Sequence, residues 1–430
     1  MKSLRNITLA VFGLLCLASS SFASYTVLPA KSEPQMLRWK DRTIRIALSR
    51  SFSNEVPNIK RESDISGAIL RSLALWERAA NLKFVVEFSD LTSLSPSGVA
   101  GDGVSLITIA ASPENVLLFS RNPFSESAKT RVFYDRSGYI TEADIVLNPY
   151  QQFSTDGTFG SFDLEATLTH EIGHLLGLRH SIVLGSAMSA GLARNGVAMG
   201  VDQFVHVLSD SDVSAVRELY DEDDVQDECC AVISGKLSQP GTKALPALRV
   251  WAEVSKTGNV AAQTESAPDG SFRLGGLPDG IYSVFWQHLS KDDVSTVGEL
   301  GTHRIAKGES KSLSEKISLV PVDATLSYVG LNDQLSESPI SVGTGREYIV
   351  YLGGKNLDPT RVAVEFNSPF FRALPGSIRK YDFGEGVSAI SFVLSVDSDV
   401  SPGVYSVFLT DKSGILGALV GGVKVQPSAL

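Results

Sequence analysis

The sequence predicts an α+β domain with a mixed sheet, followed by two all-β domains. Three observations lead to this prediction. Helical periodicity alternates with strand-like runs only before residue 221. The stretch DEDDVQDECC at 221–230 is acidic and poor in apolar residues, which indicates a solvated linker. Beyond it the chain consists of short alternating runs separated by turn signals, which are typical of β-sandwiches.

The first 23 residues are predicted to be a secretory signal peptide. MKSLRN supplies a basic start, ITLAVFGLLCLA an apolar run, and SSSFAS small residues with Ala23 as the cleavage point. The apolar run is too short to span a bilayer comfortably, and no later stretch is apolar enough for a membrane span. We therefore expect the mature chain to be secreted, either to the extracellular space or to a periplasm.

The charge and the cysteine content argue against two classes of protein. The net charge of −10 is unlike that of the basic proteins that bind nucleic acid. After loss of the signal peptide only Cys229 and Cys230 remain, so the chain is not a disulfide scaffold despite its export signal. A strained vicinal disulfide, free thiols and an intermolecular bond all stay open for these two adjacent cysteines.

The elements of the predicted α+β domain follow from local patterns. TIRIAL at 43–48 alternates apolar and other residues and predicts a strand. A helix is predicted at 63–81, with Ser63 or Asp64 as its cap. Its apolar face consists of residues at steps of three and four, namely Ile65, Ile69, Leu73, Trp76 and Ala80. Further strands are predicted at 82–88, 104–110, 130–134 and 143–148, and further helices at 163–177 and 208–220.

The helix at 163–177 concentrates two of the six histidines of the chain. His170 and His174 stand four residues apart, so their side chains lie one turn apart on the same face. Asp163 stands at the start of this helix, where a cap belongs. Gly177 stands where a left-handed C-terminal cap belongs and lets the chain turn sharply. His180 can then return as a third ligand. Three protein ligands leave the fourth position of a zinc ion open, as in catalytic zinc sites.

Glu171 stands beside the first of these histidines and can take a proton from a water on the zinc. The metal lowers the pKa of such a water from about 16 to about 7. The alternative interpretation is that these residues form a polar face of the helix by coincidence. Positions 164–176 otherwise read as a buried helix, however, where histidine and glutamate without partners would be costly. The pattern therefore predicts a catalytic zinc site.

The span HEIGHLLGLRHS at 170–181 resembles the zinc signature of the metzincin metalloproteases. A serine directly follows the third histidine, and in this the span resembles the matrixin branch, which includes the matrix metalloproteinases. Met188 stands eight residues after His180, which is the spacing of the methionine turn in matrixins. The resemblance covers roughly residues 37–221. It implies an α+β zincin (metzincin) catalytic domain, with a mixed twisted sheet plus an active-site helix. The two all-β sandwich domains that the later alternating runs predict would follow it.

The resemblance assigns a role to each matching residue. His170, His174 and His180 would hold one catalytic Zn²⁺, and Glu171 would be the general base. Met188 and Gly177 would support the zinc site. Matrixins also hold calcium in loops before the active helix. Calcium prefers oxygen ligands, so one interpretation of the acidic and amide residues near these loops is that they bind calcium. The other interpretation is that they are ordinary loop residues. The residues are Asp102, Asp135, Asp144, Asn148 and Asp156.

Two departures from the matrixin pattern change what is expected. No histidine precedes His170, so the second, structural zinc of vertebrate matrixins is not expected. The proline-containing segment that commonly follows the turn methionine is replaced by SAGLA at 189–193. The pocket that selects the residue after the cleaved bond is therefore expected to differ in shape.

The two later domains are identified by weaker resemblances. Residues 231–321 resemble carboxypeptidase regulatory-like (prealbumin-like) modules, through the pattern DGSF…GLPDGIY, and residues 322–430 resemble an immunoglobulin-like domain on texture alone. Attachment to a surface or partner and a purely structural spacer are equally open roles. The predicted organisation is a signal peptide at 1–23, a matrixin-like zinc metalloprotease domain at 24–221, an acidic linker at 222–230 and the two β-sandwiches.

The sequence thus predicts a secreted zinc-dependent endopeptidase that hydrolyses protein or peptide substrates. The alternative is an adhesion or binding protein with an inactive or secondary metzincin domain. The intact glutamate and all three histidines favour the enzyme, since a decayed site has no need to keep them. The chemistry is complete before the linker, so residues 24–221 are expected to cleave peptides as well as the whole chain does.

Overall fold

The computed structural model describes most of the chain beyond residue 34. The described residues are 27–28, 35–53, 56–96, 100–121, 123–191, 194–195, 206–220, 229–241, 243–289, 295–320, 322, 324–384 and 386–426. The predicted signal peptide at 1–23 and residues 222–228 of the predicted linker lie outside them. In the described part the chain is mostly β with few helices.

We call residues 27–220 the N-terminal segment. Its helices are α1 Ile65–Ala79, α2 Pro113–Leu118, α3 Leu164–Leu175 and α4 Asp210–Tyr220. Its strands are β1 Val27–Leu28, β2 Gln35–Met36, β3 Arg38–Trp39, β4 Thr43–Ser49, β5 Lys83–Ser89, β6 Leu106–Thr108, β7 Ala128–Tyr134, β8 Tyr139–Leu147, β9 Phe153–Ser154 and β10 Phe162–Asp163. Each strand and helix predicted for this segment is confirmed, with boundaries that differ by a few residues.

A six-stranded mixed sheet forms the centre of the N-terminal segment. Its order is β3-β8-β6-β4-β5, and these neighbours pair in parallel. Strand β7 instead runs antiparallel to β8 and has no other strand partner among the described residues. The alternation predicted for β4 is confirmed, because Ile44, Ile46 and Leu48 are buried in the core.

Helices α1 and α3 pack against each other and against this sheet. The carboxylate of Asp64 accepts a hydrogen bond from the N–H of Gly67 at 2.9 Å and so caps α1. The apolar face of α1 carries the fully buried Trp76, whose indole N–H donates to the carbonyl of Thr169 at 2.9 Å. This contact fixes the position of α3 relative to α1.

We call residues 229–320 the middle segment. Its strands are β11 Ala231–Ser238, β12 Arg249–Val254, β13 Val260–Glu265, β14 Ser271–Leu277, β15 Gly280–Leu289, β16 Ser295–Ile305 and β17 Ser310–Lys316. They form one sheet of order β14-β11-β17 and one of order β13-β12-β15-β16, around a common apolar core. At its start Cys229 and Cys230 are joined by a disulfide.

We call residues 322–426 the C-terminal segment. Its strands are β18 Thr325–Gly330, β19 Ile340–Val342, β20 Arg346–Lys355, β21 Ala363–Glu365, β22 Phe371–Ala373, β23 Arg379–Asp382, β24 Ser388–Val396, β25 Gly403–Asp411 and β26 Gly414–Val425. One sheet has the order β18-β20-β24-β22, with β23 also paired to β24, and the other has the order β19-β26-β25-β21. A third apolar core lies within this segment.

The three segments are in contact with one another. A further cluster of buried apolar side chains draws members from all three. The three segments are therefore packed against one another within the described structure. Among the described helices, none is both long enough and apolar enough to cross a lipid bilayer.

Candidate metal centre

Helix α3 carries the centre, and its two ends explain its position. The carboxylate of Asp163 accepts from the N–H of Ala166 at 2.8 Å, which caps the first turn as predicted. After the last turn Gly177 adopts a φ of +100°, and a Cβ there would lie 2.1 Å from the carbonyl oxygen of Leu37. Only glycine fits this position without strain. The chain can therefore reverse and bring His180 back to the helix.

The turn brings three imidazoles together. Nitrogen atoms of His170, His174 and His180 that could bind a metal all lie within 4.8 Å of one another. The ring centroids are 4.7 Å apart for His170 and His174, 5.2 Å for His170 and His180, and 4.9 Å for His174 and His180. In the described part of the chain this is the one group of three or more histidine, cysteine or acidic side chains with that spacing.

The donor set fits a metal ion that prefers neutral imidazole. Nδ1 of His170 lies 2.8 Å from the carbonyl of Ala187, and Nδ1 of His174 lies 2.9 Å from the carbonyl of Leu178. Each Nδ1 therefore carries its proton, and each Nε2 presents a lone pair, as is usual for histidine ligands. Burial lowers the pKa of His174 to about 3 and also lowers the pKa of His170 and His180, which keeps all three rings neutral.

Glu171 is buried beside this histidine cluster. The hydroxyl of Thr130, on β7, donates to Oε2 of Glu171 at 2.6 Å. Burial raises the pKa of Glu171 to about 7, while the Thr130 hydrogen bond opposes that rise. A carboxylate with a pKa near neutrality is well matched to proton transfer at neutral pH.

Met188 lies directly beneath α3. Its side chain is buried, and a Cβ added to Gly173 would lie 2.2 Å from its sulfur. The N–H of Ser181 donates to the carbonyl of Met188 at 2.7 Å, which closes the loop that begins after His180. The structure thus brings together the residues predicted for the zinc site, and the roles assigned to them remain predictions.

The residue that organises this loop was not predicted from the sequence. Asp212, near the start of α4, accepts from the N–H of Ala187 at 2.9 Å and from the N–H of Met188 at 3.4 Å. It also accepts from the hydroxyl groups of Ser186 and Ser209. No local pattern distinguishes Asp212 from the other acidic residues of α4. Thr130 was missed for the same reason, because both act through contacts that are distant in sequence.

The residues predicted for calcium are not brought into one site. Asp102, Asp135 and Asp144 accept hydrogen bonds from backbone N–H groups of their own surroundings. Asp156 is paired with Lys60, and the amide of Asn148 donates to the carbonyls of Pro123 and Glu126. Burial raises the pKa of Asp144 to about 7. Calcium binding stays a prediction.

The part of the chain that contains this centre is similar to known proteins. Residues 121–221 match the family model described as Matrixin. The chain is 26% identical over 190 residues to Metalloendoproteinase 1 of Glycine max, covering 43% of this chain and 53% of that protein. The chain thus spans about half the length of this curated relative. These matches support a matrixin-like domain of the metalloprotease class.

Similarity to solved structures is weak. The major pilin subunit BcpA of Bacillus cereus aligns over 44% of this chain and 67% of its own, with 12% identity and a TM-score of 0.17. A putative membrane anchored protein from Corynebacterium diphtheriae aligns over 47% of this chain and 59% of its own, with 11% identity and a TM-score of 0.19.

Proposed function

We propose that the chain is a secreted zinc-dependent endopeptidase with its active centre on α3. The observation that carries the proposal is the convergence of three neutral imidazoles on one point, with a buried glutamate beside them. The match of residues 121–221 to the matrixin model supports it independently. Secretion rests on the predicted signal peptide.

His170, His174 and His180 would hold the ion. Zinc bound there would supply Lewis-acid polarisation of a carbonyl oxygen and a water that ionises near neutral pH. The carbonyls of Ala187 and Leu178 hold two of the rings in the tautomer that such binding needs.

Glu171 would act as the general base. With its pKa near 7, its carboxylate can accept a proton from water and then donate that proton to the leaving amine. The Thr130 hydroxyl, 2.6 Å from Oε2, holds the side chain in one position for both transfers. Glu171 is only 3% exposed, which limits the access of competing water to the carboxylate.

The substrate would be an extended peptide that adds a strand to β7. This strand has no second strand partner among the described residues, and we infer that its outer N–H and C=O groups pair with the substrate. Thr130 lies on β7 and contacts Glu171, so a peptide paired there would run past the base. Strand addition to a sheet edge binds peptides through the backbone and tolerates many side chains.

We also propose a fold class for each segment. The mixed sheet with α1 and α3 would be a zincin fold, and the middle and C-terminal segments, each with two sheets around one core, would be β-sandwich modules. The domain boundaries would be those predicted from the sequence.

The substitution Glu171→Gln tests the proposal. Glu171→Gln keeps the shape of the side chain but cannot accept the proton. Hydrolysis of an unstructured peptide should fall by about 10²–10⁴-fold while zinc content is retained. The matched control is Glu87→Gln, at an exposed surface ion pair with Arg45, which should keep wild-type rates. Wild-type protein that holds zinc but cleaves no peptide would instead favour a binding protein.

A further inference from the structure

The loop between His180 and Met188 is the part of the centre that the other two segments contact. Ile182 and Val183, which follow His180 almost directly, are 6% and 0% exposed. They lie in the cluster shared by the three segments, with Trp251, Val260, Phe285 and Val297 of the middle segment and Val404, Phe408, Ala418 and Val420 of the C-terminal segment.

The contacts of this loop with the C-terminal segment are close. The backbone N–H of Leu184 donates to the carbonyl of Val420 at 2.9 Å. A Cβ on Gly185 would lie 2.3 Å from Cγ1 of Val404, and a Cβ on Gly421 would lie 2.5 Å from Cγ1 of Val183. The fit on both sides therefore leaves no room for a single methyl group.

The middle segment is fixed to the same region through α4. The side chain of Glu218 accepts from Nε of Arg273 at 2.6 Å and from the N–H of Gly275 at 3.1 Å. Asn259 contacts both other segments, because its amide nitrogen donates to Asp210 while its oxygen accepts from the N–H of Val404 at 2.8 Å. Helix α4 also carries Asp212, the residue that holds the loop from its other end.

The loop supplies two parts of the histidine cluster. His180 immediately precedes it, and the carbonyl of Ala187 holds Nδ1 of His170. A displacement of the loop would move one imidazole and the hydrogen-bond partner of another. Partners of this kind typically affect metal affinity by roughly 10–100-fold.

We propose that the C-terminal segment, braced by the middle segment, positions His180 and the Ala187 carbonyl for metal binding. Val404, Val420 and Gly421 are then positioning residues of the metal centre, and the later segments are neither spacers nor only attachment modules. The identity of the metal rests on the proposed function, whereas the packing that carries this inference does not.

Gly421→Ala in the full chain tests the inference. Gly421 has a φ of +65°, and its new methyl group would press on Val183. The matched control is Gly376→Ala in the same segment, with a φ of +69° and nothing within 4 Å of its Cβ. Both variants carry the same backbone cost, but only the first displaces the loop. Zinc affinity, measured by competition with a chelator, should fall roughly 10–100-fold for Gly421→Ala and stay within twofold for Gly376→Ala.

A second mutation separates displacement of the loop from general damage. Val183→Ala removes the atom that the new methyl group would strike, and the next nearest loop atoms are then 3.5 Å away. Gly421→Ala should therefore cost little zinc affinity in a Val183→Ala background. The visible spectrum of the Co²⁺-loaded protein should change for Gly421→Ala and return in the double variant.

A variant from the other side of the contact keeps the test decisive. Gly185→Ala presses on Val404 without a positive φ and should weaken zinc binding similarly, which replaces Gly421→Ala if that variant does not fold. Wild-type protein that binds no zinc would refute the proposed function. Wild-type protein that binds zinc, with folded Gly421→Ala and Gly185→Ala equal to Gly376→Ala in affinity, would overturn this inference alone.

Discussion

Asp212 and Ala187 are joined by a hydrogen bond in which the backbone N–H of Ala187 donates to the carboxylate at 2.9 Å. The carbonyl of Ala187 lies 2.8 Å from Nδ1 of His170. A carboxylate on α4 is thus connected through one alanine to an imidazole on α3. The orientation of the His170 ring therefore depends on α4, which begins at Asp210, far beyond the end of α3 at Leu175.

Asp212→Asn should weaken zinc binding without removing a ligand. The N–H of Ala187 donates to Oδ2 of Asp212 and the N–H of Met188 donates to Oδ1, so an amide nitrogen in place of either oxygen removes one of the two acceptors. The turn then loosens, and the partner of His170 is held less firmly. We expect zinc affinity to fall roughly 10–100-fold in a chelator competition. Asp279→Asn, at an exposed position of the middle segment, is the control. Unchanged affinity in Asp212→Asn would show that the hydrogen bond to Ala187 does not matter for the centre.

Gly177→Ala should destabilise the N-terminal segment more than glycine replacement at an open turn does. Its methyl group would meet the carbonyl of Leu37 at 2.1 Å, in addition to the backbone cost at a φ of +100°. Gly160→Ala carries a similar backbone cost, at a φ of +80°, with nothing within 4 Å. We expect a loss of about 1–2 kcal/mol for Gly160→Ala and clearly more for Gly177→Ala. Equal melting temperatures for the two variants would contradict this account of the turn.

The sequence predicted the local parts of the site and missed the distant ones. The cap at Asp163, the helix, the turn at Gly177 and the spacing to Met188 depend on short-range rules, and the structure contains each of them. Thr130 and Asp212 reach the site through the sheet and through α4, where no sequence pattern marks the contact. The later segments were expected to be dispensable, but Val183 is buried against them. An acidic stretch in the sequence indicates a linker without revealing how the flanking segments pack.

The buried Glu253 should make stability depend on pH. Trp251 and Asn367 donate to its carboxylate at 2.9 and 3.1 Å, but burial raises its pKa from 4.5 to about 7. Because the folded pKa is the higher one, the stabilisation is complete below pH 4.5 and is lost as the pH rises through 7. Glu253→Gln mimics the protonated side chain. Between pH 4.5 and pH 8 the unfolding free energy of wild type should therefore fall, relative to that of Glu253→Gln, by on the order of 3 kcal/mol.

Denaturant unfolding at several pH values measures this difference. Glu365→Gln, at an exposed glutamate of the C-terminal segment, provides the control and should follow the wild-type profile. A constant difference between wild type and Glu253→Gln over the whole range would rule out titration of Glu253 as the cause.

Metal content should distinguish ligands from other histidines. His180→Ala should lose zinc on dialysis, because two imidazoles remain where three converged. His288→Ala, on β15 in the middle segment, is the matched control and should keep one zinc per chain. Elemental analysis of the dialysed proteins gives both values and reports any calcium. Two zinc ions per wild-type chain would reveal a second site that the histidine content does not predict.

The position of the metal in a crystal shows whether His170, His174 and His180 bind zinc. Diffraction data collected on either side of the zinc absorption edge, from crystals of the dialysed full-length protein, locate zinc without any assumption about ligands. We expect a single anomalous peak within about 2.0–2.1 Å of one nitrogen each of His170, His174 and His180. A zinc-loaded protein whose anomalous peak lies elsewhere, or a dialysed protein with no peak between these three side chains, would contradict it.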